Sequence, residues 1–255
     1  MKPLPTIPKL SVSGLQGAFL DEMWVACVDW DLDATPAENC RRLALENPFG
    51  KSASWASRVS DVVRQRIDPA RDKSLILLAK SGIDRQIWNP ILLWHLTRDQ
   101  ALLREFLCTW LWAKFEEGTV KMGASEVIAW LTTIEKTQGR PWKPSTRSRI
   151  ANGLLGICVD FGLLEGSRPR RFVPYHLPDQ ALLYLLHAIS ASQPNVRNVL
   201  NAPDWRMFRV RPEHLERELL QLHQLHRLHY DVAGSLVQLR LPDPTLDSFV
   251  TRITA

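Results

Sequence analysis

Apolar positions along this chain recur three and four residues apart, the period of helices with one buried face, and long alternating strands are absent. Thr35-Pro36-Ala37-Glu38 reads as a helix start, with Thr35 as cap, Pro36 at the first helical position and Glu38 closing a capping box. That helix is expected to run to about Glu46, followed by a turn, Asn47 to Ala53. Ser54 then caps a second helix to about Ile67, with Trp55, Val59, Val62, Val63 and Ile67 inward and Ser57, Arg58, Asp61, Arg64 and Gln65 outward.

Ile67 to Ser74 reads as a boundary, and helices are expected over about 74–81, from Pro90 to Leu93 or beyond, and over 100–117. Ser125 is placed as the cap of a helix to about Thr137, with Val127, Leu131 and Ile134 inward. Residues 138–144 form a turn, and Ser145 caps a further helix with Ile150, Leu154, Ile157, Cys158 and Phe161 on one stripe. Gly162 stops it. Two short strands follow, Leu163–Leu164 and Phe172–Tyr175, joined by a tip rich in arginine. A later helix spans about Pro212 to His229, and a turn at Ala233-Gly234-Ser235 leads into a strand, Leu236 to Leu241.

These elements describe a mainly α protein with helix-turn-helix and winged-helix-like domains and short β-hairpin wings. Three domains are expected: 1–70, 71–190, and a C-terminal helix and hairpin over 191–255. A length of 255 residues with 45% hydrophobic content is ample for a buried core. No apolar run approaches the ~18 residues of a membrane span. The opening MKPLPTIPKLSVSG has no continuous apolar segment of a secretory signal, so a cytoplasmic protein without a membrane partner is expected. Cys27, Cys40, Cys108 and Cys158 match no metal or redox spacing and read as small buried hydrophobes. The ten tryptophans, at helical spacing, read as core.

The net charge of +5 is unevenly spread. Arg140 to Arg171 holds seven basic residues against two acids, and Lys51 to Lys73 holds six against three. Such concentration is the footprint of a nucleic-acid contact. Around the Ser145 helix, Ser148, Asn152 and Gly156 lie opposite the buried stripe with Arg149 beside them and Arg147 in the first turn. Small polar residues admit a helix to a major groove about 12 Å wide, where Arg and Asn read base edges. Arg147, Arg149 and Asn152 are therefore placed on or in the groove. Arg140, Lys143, Arg168, Arg170 and Arg171 are placed on phosphates, and Lys51, Arg58 and Arg64 form a second patch. Positive charge at a helix N-terminus opposes the macrodipole. A polyanion as neighbour accounts for it.

Other patterns carry less. Phe49-Gly50-Lys51-Ser52 resembles the end of a phosphate loop, but the required glycine is replaced by Leu45 and a helix stands where a strand belongs. His223, His226 and His229, three apart on one helix, fan around it, and no Cys or carboxylate set completes a metal site. No nucleophile elbow, metalloprotease motif or dinucleotide loop is present. No catalytic residue, cofactor, metal or small-molecule substrate is expected.

LSVSGLQGAFLDEMWVACV, ENPFGKSASWASRVSDVVRQRI and the block from REFLCTWLWAKFEEG to WKPSTRSRIANGLLGICVDFGLLEG together resemble the BrxA family of bacterial BREX (bacteriophage exclusion) phage-defence systems. The resemblance covers most of residues 10 to 190. In the first block the family's basic, serine-rich run is represented by Gly50 to Arg58. In the later block Ser145-Thr146-Arg147-Ser148-Arg149 and Gly162-Leu163-Leu164 agree well. The resemblance implies a mostly helical, non-enzymatic DNA-binding protein acting beside other BREX components. The expected function is thus sequence-tolerant binding of double-stranded DNA. A non-catalytic scaffold docking other defence components through Pro212 to Leu241 is the alternative, and an RNA-binding role is disfavoured by the lack of an aromatic-bearing sheet.

Overall fold

The structure, a computed structural model, describes residues 15, 17–139, 141–193, 195–234 and 236–255. It is mainly helical: α1 (Leu20–Asp29), α2 (Pro36–Glu46), α3 (Ala53–Arg66), α4 (Pro69–Lys80), α5 (Arg85–Asp99), α6 (Ala101–Glu105), a π-helical segment (Phe106–Leu111), α7 (Trp112–Glu116), α8 (Ala124–Gln138), α9 (Pro144–Asp160), a hairpin β1 (Leu164–Glu165) and β2 (Arg171–Phe172), α10 (Asp179–Ser190), α11 (Val196–Leu200), a 3-10 turn (Pro203–Phe208), α12 (Pro212–Gln224), a hairpin β3 (His229–Ala233) and β4 (Leu236–Arg240), and α13 (Leu246–Thr254). Both hairpins are antiparallel, with Leu164 opposite Phe172 and Tyr230 opposite Leu239. Among the described residues no helix is long and apolar enough to cross a membrane.

The chain divides into two compact units. One comprises residues through Phe19 together with His95–Tyr175; the other comprises Leu20–Trp94 and His176–Ala255. The boundaries expected near residues 70 and 190 both fall inside the second unit. The first unit centres on Leu103, Phe106, Val127, Leu131, Leu154 and Phe161, all buried. The second centres on Trp30, Leu43, Trp88, Tyr184, Trp205 and Phe249. In the second unit the Ser74 and Tyr184 hydroxyls meet at 2.6 Å, satisfying two polar groups inside an apolar interior. All four cysteines are buried, and none forms a disulfide.

Local signals set most helix starts, with instructive exceptions. Thr35 caps α2 as expected: its hydroxyl accepts from the Glu38 N–H, and the Glu38 carboxylate accepts from the Thr35 N–H at 2.8 Å. Ser52, not Ser54, caps α3, accepting from the Trp55 N–H at 3.3 Å. Proline takes the first helical position of α9, so that helix begins at Pro144 with Lys143 as cap rather than at Ser145. At α8 the cap is Gly123, whose N–H donates to the Glu126 carboxylate at 2.8 Å, rather than Ser125. Pro90 lies inside α5, which starts at Arg85. The expected helix through His229 stops at Gln224. His223 sits in its last turn, His226 adopts a left-handed φ of 55°, and His229 belongs to β3, so the three histidines do not share a helix.

Candidate nucleic-acid interface

In the first unit, α8, a short turn, α9 and the β1–β2 hairpin follow one another. The face of α9 read from sequence is observed: Ile150, Leu154, Ile157, Cys158 and Phe161 are all buried. Ala151 and Leu155 widen it. Gly162, with φ of 68°, ends the helix. On the outer side, a Cβ built on Gly156 meets nothing within 4 Å, so the surface there is open. Gly153 differs: a Cβ at that position would overlap the Leu15 carbonyl oxygen. Seven residues on, Asp160 accepts the Ala18 N–H at 2.9 Å. Leu15 and Ala18, ahead of α1, therefore lie against one side of α9, and the absence of a side chain at Gly153 lets the Leu15 backbone approach.

The hairpin is fixed to α8 as well as to α9. Met122 and Arg170 form an isolated antiparallel bridge, which brings the residues just ahead of α8 alongside the hairpin. Gly166 in the hairpin tip has φ of 85°, and a Cβ there would come within 3.0 Å of the Pro169 carbonyl. The result is a cleft of about 450 Å³ lined by Ala124, Ile128, Ser148, Asn152, Arg168 and Arg170.

The structure sorts the expected basic residues. Lys143, Arg149 and Arg168 are exposed, and among the described residues no acid pairs with any of them. Arg168, Arg170 and Asn152 share the cleft. The Asn152 amide donates to the Ser148 carbonyl of its own helix at 2.8 Å. Arg171 is ion-paired with Glu165 across the hairpin. Arg140 lies outside the described residues.

Arg147 is a correction. Its guanidinium is 2.7 Å from the carboxylate of Glu135 on α8, with only 21% of the Arg147 side chain and 5% of the Glu135 side chain exposed. The same guanidinium donates to the Trp142 carbonyl at 3.4 Å. Arg147 is thus turned toward α8 and held there, not presented to a groove.

Lys51, Arg58 and Arg64 belong to the second unit. Lys51 pairs with Glu22 at 2.9 Å and lies 4.9 Å from the Trp55 ring, while Arg58 lies 5.6 Å from the same ring. Arg64 pairs with Asp61 one turn earlier, at 2.8 Å. The Trp55 indole N–H donates to Glu22 at 3.2 Å, so this patch is partly neutralised by one buried acid.

Glu135 is the residue that sequence reading overlooked. Val127, Leu131 and Glu135 are spaced four apart, so an acid occupies the next position of a buried stripe. A charge in such a position requires a partner. Lys121 was also passed over: it is exposed beside the bridging Met122.

With this geometry in place, the chain can be set beside known proteins. The model of the BrxA family matches residues 14–188. The chain belongs to the BrxA family. Membership makes it a component of BREX phage defence and points to other BREX components as partners. The match ends within α10, so α11, α12, both strands of the second hairpin and α13 lie beyond it. A crystal structure of an uncharacterized protein from Magnetospirillum magneticum is similar in fold, with a TM-score of 0.60 and 17% identity over 77% of this chain and 98% of that one. Among curated proteins none matches the chain.

Proposed function

We propose that this BrxA-family chain is a non-enzymatic, sequence-tolerant double-stranded DNA-binding accessory of its phage-defence system, working in the cytoplasm. Helix α8, the turn, α9 and the hairpin, with the Met122 bridge as a third short strand, follow the order of a winged helix-turn-helix. The observation that carries the reading is the outer side of α9. Its open stripe of Ser148, Asn152 and Gly156 is flanked by Lys143, Arg149 and Arg168, cations that no acid pairs with among the described residues.

A groove can accept that stripe, and the flanking cations suit phosphates. The α9 N-terminus, which Lys143 leaves without a side-chain cap, suits a phosphate too. Sequence tolerance follows from how few base readers remain. Arg147 is held by Glu135, and Asn152 commits one of its two amide N–H donors to its own helix, so Arg149 is the one guanidinium of the helix with no acid partner among the described residues. Cationic contacts from Lys143, Arg149, Arg168 and Arg170 would give a slope of log K against log salt of about −3.6.

Fluorescence anisotropy with two unrelated duplexes of about 20 base pairs, titrated at several salt concentrations, tests this. Similar affinities and a steep negative slope are expected; no binding at low salt would overturn the reading.

One observation favours a second role. Leu220, Leu225, Val232 and Leu236, all in the Pro212 to Leu241 segment, are exposed. Large apolar side chains gathered in one exposed segment suit docking to other BREX components. Co-purification that survives nuclease and high salt but is lost on removing residues from Pro212 onward is the expected result; retention after truncation would refute it.

A further inference from the structure

Glu135 is an acid buried beside a surface assigned to a polyanion, and its position answers why. Its main-chain carbonyl accepts the N–H of Gly139, the left-handed residue that ends α8, at 2.9 Å. Its side chain then reaches over the turn that Gly139 begins. One carboxylate oxygen accepts the Trp142 N–H, and the other pairs with Arg147 at 2.7 Å. Arg147 closes the ring by donating to the Trp142 carbonyl. One residue of α8 thereby holds both ends of the turn and the first turn of α9. Lys143, the cap of α9 and a proposed phosphate contact, lies between the two clasped residues, Trp142 and Arg147.

We propose that Glu135 is a positioning residue of the DNA interface, acting through Arg147 and Trp142 to set where Lys143 and the outer side of α9 stand. This inference rests on the DNA-binding reading above. It makes a prediction whose sign differs from that of simple electrostatics. Removing an acid near a DNA-binding surface raises the local positive potential and should strengthen binding. Removing the acid that fixes the turn should weaken it, because a recognition element held loosely loses its productive geometry.

The test compares the wild-type chain with Glu135→Gln and Arg147→Lys by anisotropy on one duplex across a salt series. Thermal melts confirm folding, and amide exchange follows the 139–143 turn. Glu135→Gln keeps the shape and loses the charge, whereas Arg147→Lys keeps the charge and loses the fork. Each variant is expected to weaken duplex binding by on the order of tenfold with the salt slope unchanged, and to speed exchange in the turn. Arg147→Lys also serves if Glu135→Gln melts too early to assay.

Equal or tighter binding by a folded Glu135→Gln chain overturns the proposal. So does a drop of about 0.9 in the slope in a charge-removing Arg147→Met chain that is absent from Glu135→Gln and Arg147→Lys, which would make that residue a phosphate contact. If the wild-type chain binds no duplex at low salt, the DNA-binding reading itself fails and this inference with it. Wild-type binding matched by both variants defeats this inference alone.

Discussion

Met122 and Arg170 exchange two backbone hydrogen bonds, each 2.9 Å long, and so tie the arginine-bearing hairpin to the start of α8. The Met122 side chain is 1% exposed, so it anchors the bridge in the core of its unit. Met122→Ala is expected to cost about 2–5 kcal/mol through the cavity it leaves, and to free the hairpin. Denaturant unfolding of the full chain checks this; a cost below about 1 kcal/mol would show that the anchor contributes little.

The basic residues are expected to separate by their pairing. Lys143→Ala and Arg168→Ala should each reduce the magnitude of the salt slope by about 0.9, since each removes one cation with no acid partner among the described residues. The double variant Arg171→Ala, Glu165→Ala removes an ion pair and should leave the slope unchanged. Anisotropy over a salt series reads both.

Two glycines three residues apart in α9 should respond with opposite signs. Gly156 stands in open space within a helix, so Gly156→Ala should stabilise by about 1 kcal/mol. Gly153→Ala would press on the Leu15 backbone and should destabilise by about 1–3 kcal/mol. Gly156→Leu should leave the melting temperature near that of the wild type while weakening duplex binding. Unchanged affinity would place the groove-facing surface elsewhere.

Acid should destabilise the second unit in two stages. Burial holds the His187 imidazole below its ordinary 6.5, with Asp243 opposing and Arg252 reinforcing the shift. A neutral His187 therefore contributes stability that is complete above 6.5 and is lost as pH falls below it. Hydrogen bonds from Arg252 hold Asp243 below its ordinary 3.8, so its contribution is complete above 3.8 and is lost as pH falls through the lower folded value. His187→Phe, beside Phe249 at 5.0 Å, should remove the loss that sets in below pH 6.5 and leave the later one. Thermal melts against pH test this; identical pH profiles for variant and wild type would refute it.

What could be read from the chain alone was local. Thr35, Pro36 and Glu38 act within one turn, and neighbours three apart either complete a capping box or do not. The α9 stripe repeats with the helical period, and one face of a helix has one environment. Gly162 stops α9 through its own backbone freedom. The α8–turn–α9–hairpin order was legible for the same reason: each boundary lies in a few adjacent residues.

Other elements escaped because their signals were not local. α10 is buried along most of its length, from Ala181 to His187 and at Ile189, so it shows no contrast between faces. α12 stops at Gln224, where the Tyr230 N–H donates to His223 and the chain turns back as β3, although the histidine spacing alone favours a continuing helix. Arg147 and Arg149 look equivalent in sequence. Two residues in a helix point about 200° apart, so one faces α8 and the other faces solvent. Which one finds Glu135, 12 residues away from Arg147 across a turn, depends on how α8 and α9 pack. The chain alone determined a helical protein with a concentrated basic segment. The tertiary structure decided which of those charges are available, because an ion pair forms between side chains that packing, not sequence proximity, brings together.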